Sequence, residues 1–228
     1  MYQDLFDVDK QAAMRKYFLT ELAAAGVIKS FHRRQLVDEP LQHPGMGIVL
    51  RGKVVKSIVS SGGQEKMLYI LRPGEIFGEM AFFAGGFLNY LVRVKEDTEI
   101  SFISRDLLQE TLAGRPDVHS CLINSITRKY RIILLQLTNN TFNDSIGRVA
   151  DALLRLAACA DPLEVGEHNN IISTVFTQNE LAHNVGCSRI TVSRILQRLR
   201  RENLISIRNK RIVIEDLEGL AGYTDRVQ

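Results

Sequence analysis

Eight basic side chains and only one acidic side chain lie between Gly186 and Ile214. The basic residues are Arg189, Arg194, Arg198, Arg200, Arg201, Arg208, Lys210 and Arg211, and the acidic one is Glu202. Guanidinium groups form paired hydrogen bonds with phosphate oxygens and with the O6 and N7 atoms of guanine. A charge run by itself is more often a solvated helix face. The chemistry of this cluster therefore depends on the elements that carry it.

The residues around the start of the cluster have the pattern of two helices joined by a tight turn. Thr177 and Glu180 have the spacing of a capping box, which predicts that a helix begins there. Gly186 supplies the turn, and Ser188 can cap the second helix. Most packing residues of that helix are predicted to be Ile190, Val192, Ile195, Leu196 and Leu199.

A β-hairpin is predicted after the second helix. Residues 204–207 and 211–214 have strand character, and Arg208, Asn209 and Lys210 form the turn between them. Helix, glycine turn, helix and cationic hairpin together predict a winged helix-turn-helix that binds double-stranded DNA. The affinity should fall steeply with salt concentration, because each phosphate contact releases counterions.

The first half of the chain has β character between Leu36 and Arg105. Strand-like runs are found at 46–50, 54–59, 67–71 and 99–103. Turn residues separate these runs at intervals of roughly ten residues. They are Gly45, Gly47, Gly52, Gly62, Gly63, Pro73, Gly74, Gly78, Gly85 and Gly86. This rhythm predicts an antiparallel β-roll.

A helix with a regular apolar stripe is predicted from Asp117 onward. The stripe consists of Ile123, Ile126, Tyr130, Ile133 and Leu137, at spacings of three and four residues. This spacing favours pairing of two copies of the chain. Packing of the stripe on the chain's own β-roll is the alternative. The polar stretch 139–145 breaks the apolar rhythm and is predicted to form the domain boundary. A new helix at 146–158, a loop at 159–170 and a strand at 171–175 are predicted to follow.

Composition sets broader limits. A chain of 228 residues predicts two cores, and a net charge of +3 is too small to indicate nucleic acid by itself. The first residues have no cationic segment followed by an apolar run, and no stretch is long enough to span a bilayer, so we expect a cytoplasmic protein without membrane contact. The cysteines, Cys121, Cys159 and Cys187, are too far apart to indicate a metal centre, and no metal or cofactor is expected.

Four segments resemble the cyclic-AMP receptor and fumarate-nitrate-reduction regulator (CRP/FNR) family. They are LRPGEIFGEMAFF, ISRDLLQETLAGRPDV, SIGRVADALLRLA and VGCSRITVSRILQRLRRENLIS, and they span nearly the whole chain. The resemblance implies an α+β fold with a jelly-roll-like sensing β-roll of the cyclic-nucleotide-binding type at 1–116. A long dimerisation helix and hinge at 117–143 and a winged helix-turn-helix at 144–228 should follow. It also implies a homodimer, a palindromic operator with half-sites about one helical turn apart, RNA polymerase as a partner and no enzymatic activity.

The resemblance also assigns DNA contacts by position. The assigned residues are Thr177, Gln178, Asn179, Ser188, Arg189, Ile190, Ser193 and Arg194, to which the cationic Arg198, Arg208 and Lys210 are added. Arg194 is the first choice for guanine recognition. Well-known members have a glutamate where this chain has Ile190, which can offer only an apolar contact to a thymine methyl group. The preferred half-site should therefore differ at that base pair.

The sensing domain departs from the family pattern. Members that bind cyclic AMP have an Arg-Ser pair about ten residues after a Gly-Glu pair, whereas this chain has Leu88, Asn89 and Tyr90. Hydroxyl residues that meet the adenine are replaced by Ile133 and Leu134. Cyclic AMP is therefore not the expected effector. The predicted pocket contains Phe77, Gly78, Glu79, Met80, Asn89, Tyr90, Lys129, Tyr130, Ile133 and Leu134.

These residues favour an unidentified small anionic aromatic or apolar effector, with Lys129 meeting its charge. In the alternative interpretation, the apolar members are simply core and dimer seam. Residues 1–120 contain no cysteine that could hold an iron-sulfur cluster, and His32, His43 and His119 are isolated, although a redox-, haem- or nitric-oxide-responsive regulator stays an alternative. A second alternative is a β-roll ligand-binding module that acts on a protein partner. An enzyme resembling metal-binding jelly rolls is disfavoured because residues 45–105 contain no histidine.

Overall fold

The computed structural model describes residues 6–37, 45–85, 90–158, 176–208 and 211–225. The backbone separates into a compact unit formed by Asp9–Arg131 and a second unit that includes the chain from Ile132 onward. The border falls within the helix that begins at Pro116. The division at 116 and 143 that the sequence suggests stays a prediction.

The first unit is built on an antiparallel sheet. Its elements are α1 (Val8–Tyr17), a π-helical turn (Phe18–Leu22), a 3₁₀ turn (Ala23–Ala25), β1 (Val27–Phe31), β2 (Gly45–Val59), β3 (Glu65–Leu71), β4 (Ile76–Phe77), α2 (Glu79–Ala84), β5 (Tyr90–Ser104) and α3 (Arg105–Gly114). The strand order is β1-β5-β2-β3, and β4 pairs with β2. All pairings are antiparallel. The predicted β-roll is confirmed.

The strands are longer than the sequence pattern predicts. The runs 46–50 and 54–59 belong to one strand, β2, and the run 99–103 is the end of β5. Gly52, predicted as a turn residue, has a φ of +82° inside β2, where the register against β5 shifts. A glycine at positive φ permits a bulge that bends a strand without ending it. A Cβ at Gly52 would lie 2.4 Å from Thr98 Oγ1, so the close approach also requires glycine.

Two long helices follow the roll, α4 (Pro116–Phe142) and α5 (Ser145–Ala158). Helix α4 continues into the polar stretch 139–145 and ends at Phe142. One of its polar side chains is accommodated by the helix itself, since the Thr141 hydroxyl donates to Leu137 O at 2.9 Å. The interruption is confined to Asn143 and Asp144. Asp144 caps α5 by accepting a hydrogen bond from Gly147 N at 2.9 Å.

The remaining elements complete the second unit. They are α6 (Gln178–Val185), α7 (Arg189–Arg201), β6 (Ile205–Arg208), β7 (Arg211–Ile214) and α8 (Leu217–Ala221). Buried residues from α5, α6, α7 and the hairpin form one core, which includes Val149, Leu153, Leu181, Leu199 and Ile214. The predicted winged helix-turn-helix is confirmed. The predicted loop at 159–170 and strand at 171–175 lie outside the described residues.

Candidate DNA interface and effector site

The helix-turn-helix begins at the predicted capping box. Glu180 N donates to Thr177 Oγ1 at 3.1 Å, and Thr177 N donates to Glu180 Oε2 at 2.8 Å. Gly186 has a φ of +68°, which a left-handed turn at the end of a helix requires, and its N donates to Ala182 O at 2.9 Å. Gln178 and Asn179 are exposed in the first turn of α6. The turn is thus closed by local interactions alone.

Helix α7 has one face in the core and one face in solvent. Ser188 caps it by accepting from Thr191 N at 3.1 Å. Val192, Ile195, Leu196 and Leu199 are buried. Arg189, Ile190 and Arg194 are exposed, and Ser193 is half-buried.

Ile190 was expected to supply part of the packing of α7, and this is wrong because the side chain is 65% exposed. Ile190 lies two residues before the buried Val192, about 200° away around a helix with 3.6 residues per turn, and this puts it on the outward face. Within the described ranges, neither the Arg189 nor the Arg194 side chain has a hydrogen bond or an ion pair. These two guanidinium groups are therefore available to a ligand outside the chain.

Arg198, predicted to contact DNA, is held by the protein instead. Its Nε donates to Glu202 Oε1 at 2.9 Å and one Nη donates to Tyr223 Oη at 3.2 Å. Tyr223 Oη in turn donates to Glu202 Oε2 at 2.6 Å. These hydrogen bonds lower the pKa of Glu202. No sequence pattern indicates the contact of Tyr223 with Glu202, because 21 positions separate the two residues.

Arg208 is also paired within the chain. It lies in strand β6 opposite Arg211, and not in the turn as predicted. Its guanidinium contacts Glu215 Oε1 at 2.7 Å, and Ser206 Oγ donates to the same oxygen at 2.5 Å. Glu215 follows Ile214 and so lies just outside the basic segment that the sequence pattern defines. Lys210 lies outside the described residues.

Asn143, at the predicted hinge, is buried and fully engaged. Its Nδ2 donates to Asn139 Oδ1 and to Asp225 O, each at 3.1 Å, and its Oδ1 accepts from Asp225 N at 2.7 Å. A Cβ at Gly147 would lie 2.7 Å from Asn143 Oδ1 and from Tyr223 O. The C-terminal segment therefore packs on the connection between α4 and α5, which nothing in the sequence pattern predicted.

In the β-roll, part of the predicted effector site forms a buried polar cluster. Glu79, Tyr90 and Lys129 are each no more than 7% exposed. Lys129 Nζ donates to Glu79 Oε1 at 2.7 Å and to Ile76 O at 2.8 Å. Lys129, expected to meet the charge of an effector, is therefore already paired. Burial raises the pKa of Glu79, but Lys129 and Lys56 outweigh it and hold that pKa below its ordinary value.

The other predicted members are divided between core and surface. Phe77 is fully buried and packs edge-on against Phe102, with ring centroids 6.2 Å apart. Gly78 has a φ of +95° and leads into α2. Among the remaining members, Met80 is 45% exposed, Tyr130 60%, Ile133 38% and Leu134 42%, while Asn89 lies outside the described residues. The alternative interpretation, in which the apolar residues of the predicted site belong to the core, is therefore correct for Phe77.

Lys56 belongs to the same cluster and was missed. It lies in β2, is 2% exposed, and its Nζ has no hydrogen-bond partner in the described part of the chain. Nζ lies 4.1 Å from the Tyr90 ring centroid and 6.0 Å from that of Tyr69. Burial lowers the pKa of Lys56 from 10.5 to about 8, while Glu79 opposes this shift and Lys129 reinforces it. The sequence does not show that this lysine is buried, because only the pairing of the strands determines which face of the sheet carries its side chain.

The apolar stripe of α4 lies at the surface of the chain. Ile123 and Leu137 are both 61% exposed, and Ile126 is 39% exposed. The alternative, in which the stripe packs on the chain's own β-roll, is therefore wrong. Residues on another face of the helix make those contacts, since Val118 and Leu122 are buried in the core of the roll. Pairing of two chains through the stripe stays a prediction.

The described residues hold few candidates for other chemistry. No group of three or more His, Cys, Asp or Glu side chains among them could hold a metal ion. Of the histidines considered for haem, His119 approaches Arg115 O at 3.3 Å, His32 lies 3.9 Å from Asp97, and His43 is not described. No helix in the described ranges is long and apolar enough to cross a bilayer.

Comparison with known proteins gives the family. Residues 29–115 match the cyclic nucleotide-binding domain, and residues 147–223 match the Crp-like helix-turn-helix domain. The chain is 32% identical over 167 residues to the cAMP-activated global transcriptional regulator CRP of Pasteurella multocida, covering 73% of this chain and 78% of that protein. The chain belongs to the CRP/FNR family of transcription regulators. It is thus a DNA-binding regulator with a sensing domain of the cyclic-nucleotide-binding type.

Two further CRP/FNR proteins show how far the similarity extends. The CRP-like cAMP-activated global transcriptional regulator of Mycobacterium tuberculosis is 31% identical over 196 residues, covering 82% of this chain and 87% of that protein. The structure of TTHA1359, a CRP/FNR transcriptional regulator from Thermus thermophilus, has a TM-score of 0.63 and 27% identity. It covers 86% of this chain and 97% of that chain.

Replacing Lys56 should stabilise the protein. The fall in its pKa from 10.5 to about 8 corresponds to roughly 3 kcal/mol against the folded state below pH 8. Between about pH 8 and 10.5 the unfolded chain binds more protons than the folded one, so this destabilisation should be relieved as the pH rises. Lys56→Met should raise the free energy of unfolding by about 1–3 kcal/mol at pH 7 and by less at pH 10.

Urea denaturation of the wild type and of Lys56→Met at pH 7 and at pH 10 measures this effect. The readout is the difference in the free energy of unfolding between the two proteins at each pH. Lys53→Met removes the same charge from a half-buried position of β2 and should give no such gain. A variant less stable than the wild type at pH 7 would contradict the charge placement described for the cluster.

Proposed function

We propose that the protein is an effector-responsive regulator that binds a two-fold symmetric operator as a homodimer. The observation that carries this proposal is the outward face of α7, where Arg189, Ile190 and Arg194 are exposed while the opposite face lies in the core. A helix-turn-helix docks with its second helix in the major groove. Thr177, Gln178, Asn179 and Ser188 are exposed at the starts of α6 and α7, where side chains can meet the DNA backbone.

The contacts are not equivalent. Arg194 and Arg189 are free to reach base edges and phosphates, whereas Arg198 and Arg208 must first leave Glu202 and Glu215. Ser193 and Ile190 lie in the first two turns of α7. As an operator-binding regulator, the protein would act in the cytoplasm, contact RNA polymerase and have no catalytic activity.

The proposed effector is a small anionic aromatic or apolar molecule bound at the buried cluster. The uncompensated Lys56 and the rings of Tyr69 and Tyr90 support this proposal. Cyclic AMP is a second candidate, because two relatives are named cAMP-activated regulators. The residues at 88–90, 133 and 134 argue against it, since they lack the Arg-Ser pair and the hydroxyl groups.

The response would act through the hinge. Asn143 joins the end of α4 to the C-terminal segment, and Arg148 donates to Asn143 O at 3.0 Å and to Asn140 O at 2.8 Å. An effector can shift the balance between two arrangements of this connection only by its differential affinity for them. Titration of an operator-binding assay with an anion panel and with cyclic AMP separates the two effector candidates. Operator affinity unchanged by every compound would count against a sensing role.

Removal of Arg194 should weaken specific DNA binding. Operators are first enriched from a random duplex library with the wild-type protein. Arg194→Ala should then cost about 1–3 kcal/mol per half-site and relax the preference at one base pair. Fluorescence anisotropy at several salt concentrations measures both the affinity and the number of phosphate contacts.

Arg51→Ala, which removes an exposed charge from β2, is the matched control and should leave binding unchanged. Equal losses in the two variants would mean that Arg194 acts only through net charge. Wild-type binding that does not weaken with salt would contradict the proposed interface.

Ile190→Glu should change the base preference without abolishing binding. A glutamate accepts a hydrogen bond from the amino group of cytosine, whereas isoleucine can meet only a thymine methyl group. Enrichment from the random library should therefore show one substituted base pair in each half-site. Ile190→Val, which keeps the apolar contact, should select the wild-type sites. Identical sites for the glutamate variant would show that residue 190 does not face the bases.

Charges in the stripe of α4 should separate the dimer. Because Ile123 and Leu137 are mostly exposed in the single chain, Ile123→Glu with Leu137→Glu should leave each chain folded and prevent pairing. Light scattering after size exclusion should report a monomer with affinity for a two-half-site operator reduced at least tenfold. Asn124→Glu, next to the stripe and half-buried, is the control. A dimer that persists in the double variant would place the interface elsewhere.

A further inference from the structure

The buried cluster of the β-roll contains an excess cation. Lys56 is 2% exposed and Lys129 is 5% exposed, and the Glu79 carboxylate lies with them. The neighbouring buried carboxylate, that of Glu75, is paired with Arg128 at 2.9 Å and so adds no net charge. Lys129 Nζ is paired with Glu79 Oε1 at 2.7 Å. Lys56 Nζ is buried and has no hydrogen-bond partner within the described part of the chain. A buried ammonium without a partner is unfavourable unless something else supplies the missing charge.

Other polar atoms of the cluster are also left without partners. The Tyr90 hydroxyl and Glu79 Oε2 are buried without a hydrogen bond to any described residue. The Lys56 ammonium lies over the Tyr90 ring, and the Tyr69 ring is within 6.0 Å of the same nitrogen. Cation–π contacts of this kind offset only part of the cost of burying a charge. The arrangement offers ammonium and phenol donors to an acceptor that the chain does not contain.

We propose that Lys56, and not Lys129, recognises the acidic group of the effector, and that the effector is a small aromatic monocarboxylate. This inference rests on the sensing role proposed above and adds the ligand class and the residue that reads it. One negative charge would balance the one excess cation. A dianion would bring a second negative charge close to Glu79. The faces of Tyr69 and Tyr90 suit a flat ring beside the carboxylate.

The charge on Lys56 gives the binding a characteristic pH dependence. The titratable groups facing it are Tyr69 from β3, Glu79 from α2, Tyr90 from β5 and Lys129 from α4. Glu79 keeps its charge because its pKa is lowered, and burial raises the pKa of both tyrosines. Lys56, with its pKa lowered by burial to about 8, loses its charge as the pH rises through that value. Affinity for a monocarboxylate should fall up to tenfold per pH unit above about pH 8.

Calorimetry on the full chain at pH 6.5 tests the proposal with defined probes. Benzoate and phenylacetate are compared with the neutral benzamide and phenylacetamide, with the dianion phthalate and with cyclic AMP. At least one monocarboxylate should bind at least tenfold more tightly than its amide and than phthalate. Its affinity should fall between pH 8 and pH 9.5. Amides that bind as well as the acids, or a folded protein that binds neither monocarboxylate, would overturn the inference.

Two variants test the role of Lys56 itself. Lys56→Met should reduce the affinity at least tenfold and remove its pH dependence, whereas Lys53→Met should change neither. Circular dichroism confirms that each variant is folded. Equal monocarboxylate binding by Lys56→Met, or tight binding of cyclic AMP that Lys56→Met leaves unchanged, would overturn the assignment.

Retention of the wild-type chain on duplex DNA is measured first without any probe and then with each monocarboxylate. DNA binding with no monocarboxylate binding rejects this inference and leaves the proposed function standing. Monocarboxylate binding that depends on Lys56, without DNA binding in either condition, supports the ligand assignment and rejects the proposed DNA-binding function.

Discussion

The buried ion pair between Lys129 and Glu79 sets the chemistry of the β-roll. It ties helix α4 to the start of α2, and loss of one partner from such a pair typically costs about 3–5 kcal/mol because the other charge is left buried. Gly78 sets the position of Glu79, since its positive φ and its close approach to Gly45 O exclude a side chain. With Lys129 paired to Glu79, the second ammonium of the cluster, that of Lys56, has no carboxylate. The unpaired positive charge on Lys56 therefore results from the pairing of Glu79 with Lys129.

The DNA-binding domain depends on a similar division between paired and unpaired cations. The core of the domain fixes the inward face of α7, and so it fixes which arginines point outward. Of the basic cluster, Arg198 and Arg208 are held by Glu202 and Glu215, whereas Arg189 and Arg194 are not held by any described residue. The total charge of the cluster is thus a poor guide to the DNA interface, because ion pairs within the chain neutralise some of its arginines.

Much of the fold could be predicted from local patterns. The capping box at Thr177, the turn at Gly186 and the cap at Ser188 depend on residues three or four positions apart, so their sequence spacing nearly determines their geometry. The strands were predicted less well, because a bulge at Gly52 and a turn look alike in sequence. The hydrogen bonds of Asn143 to Asp225 and of Tyr223 to Glu202 were not predicted, since no local pattern indicates which distant segments will meet.

The amino-acid sequence by itself determined the fold class, the family and the helix that presents arginines to DNA, because these depend on periodicity and on short motifs. Only the tertiary structure decided which charges remain available. Lys56 and Lys129 lie 73 positions apart, and which of them takes the carboxylate of Glu79 depends on how β2, α2 and α4 pack. Electrostatic pairing acts over a few ångströms in space and not along the chain, so the free cation could be identified only once the elements were in place.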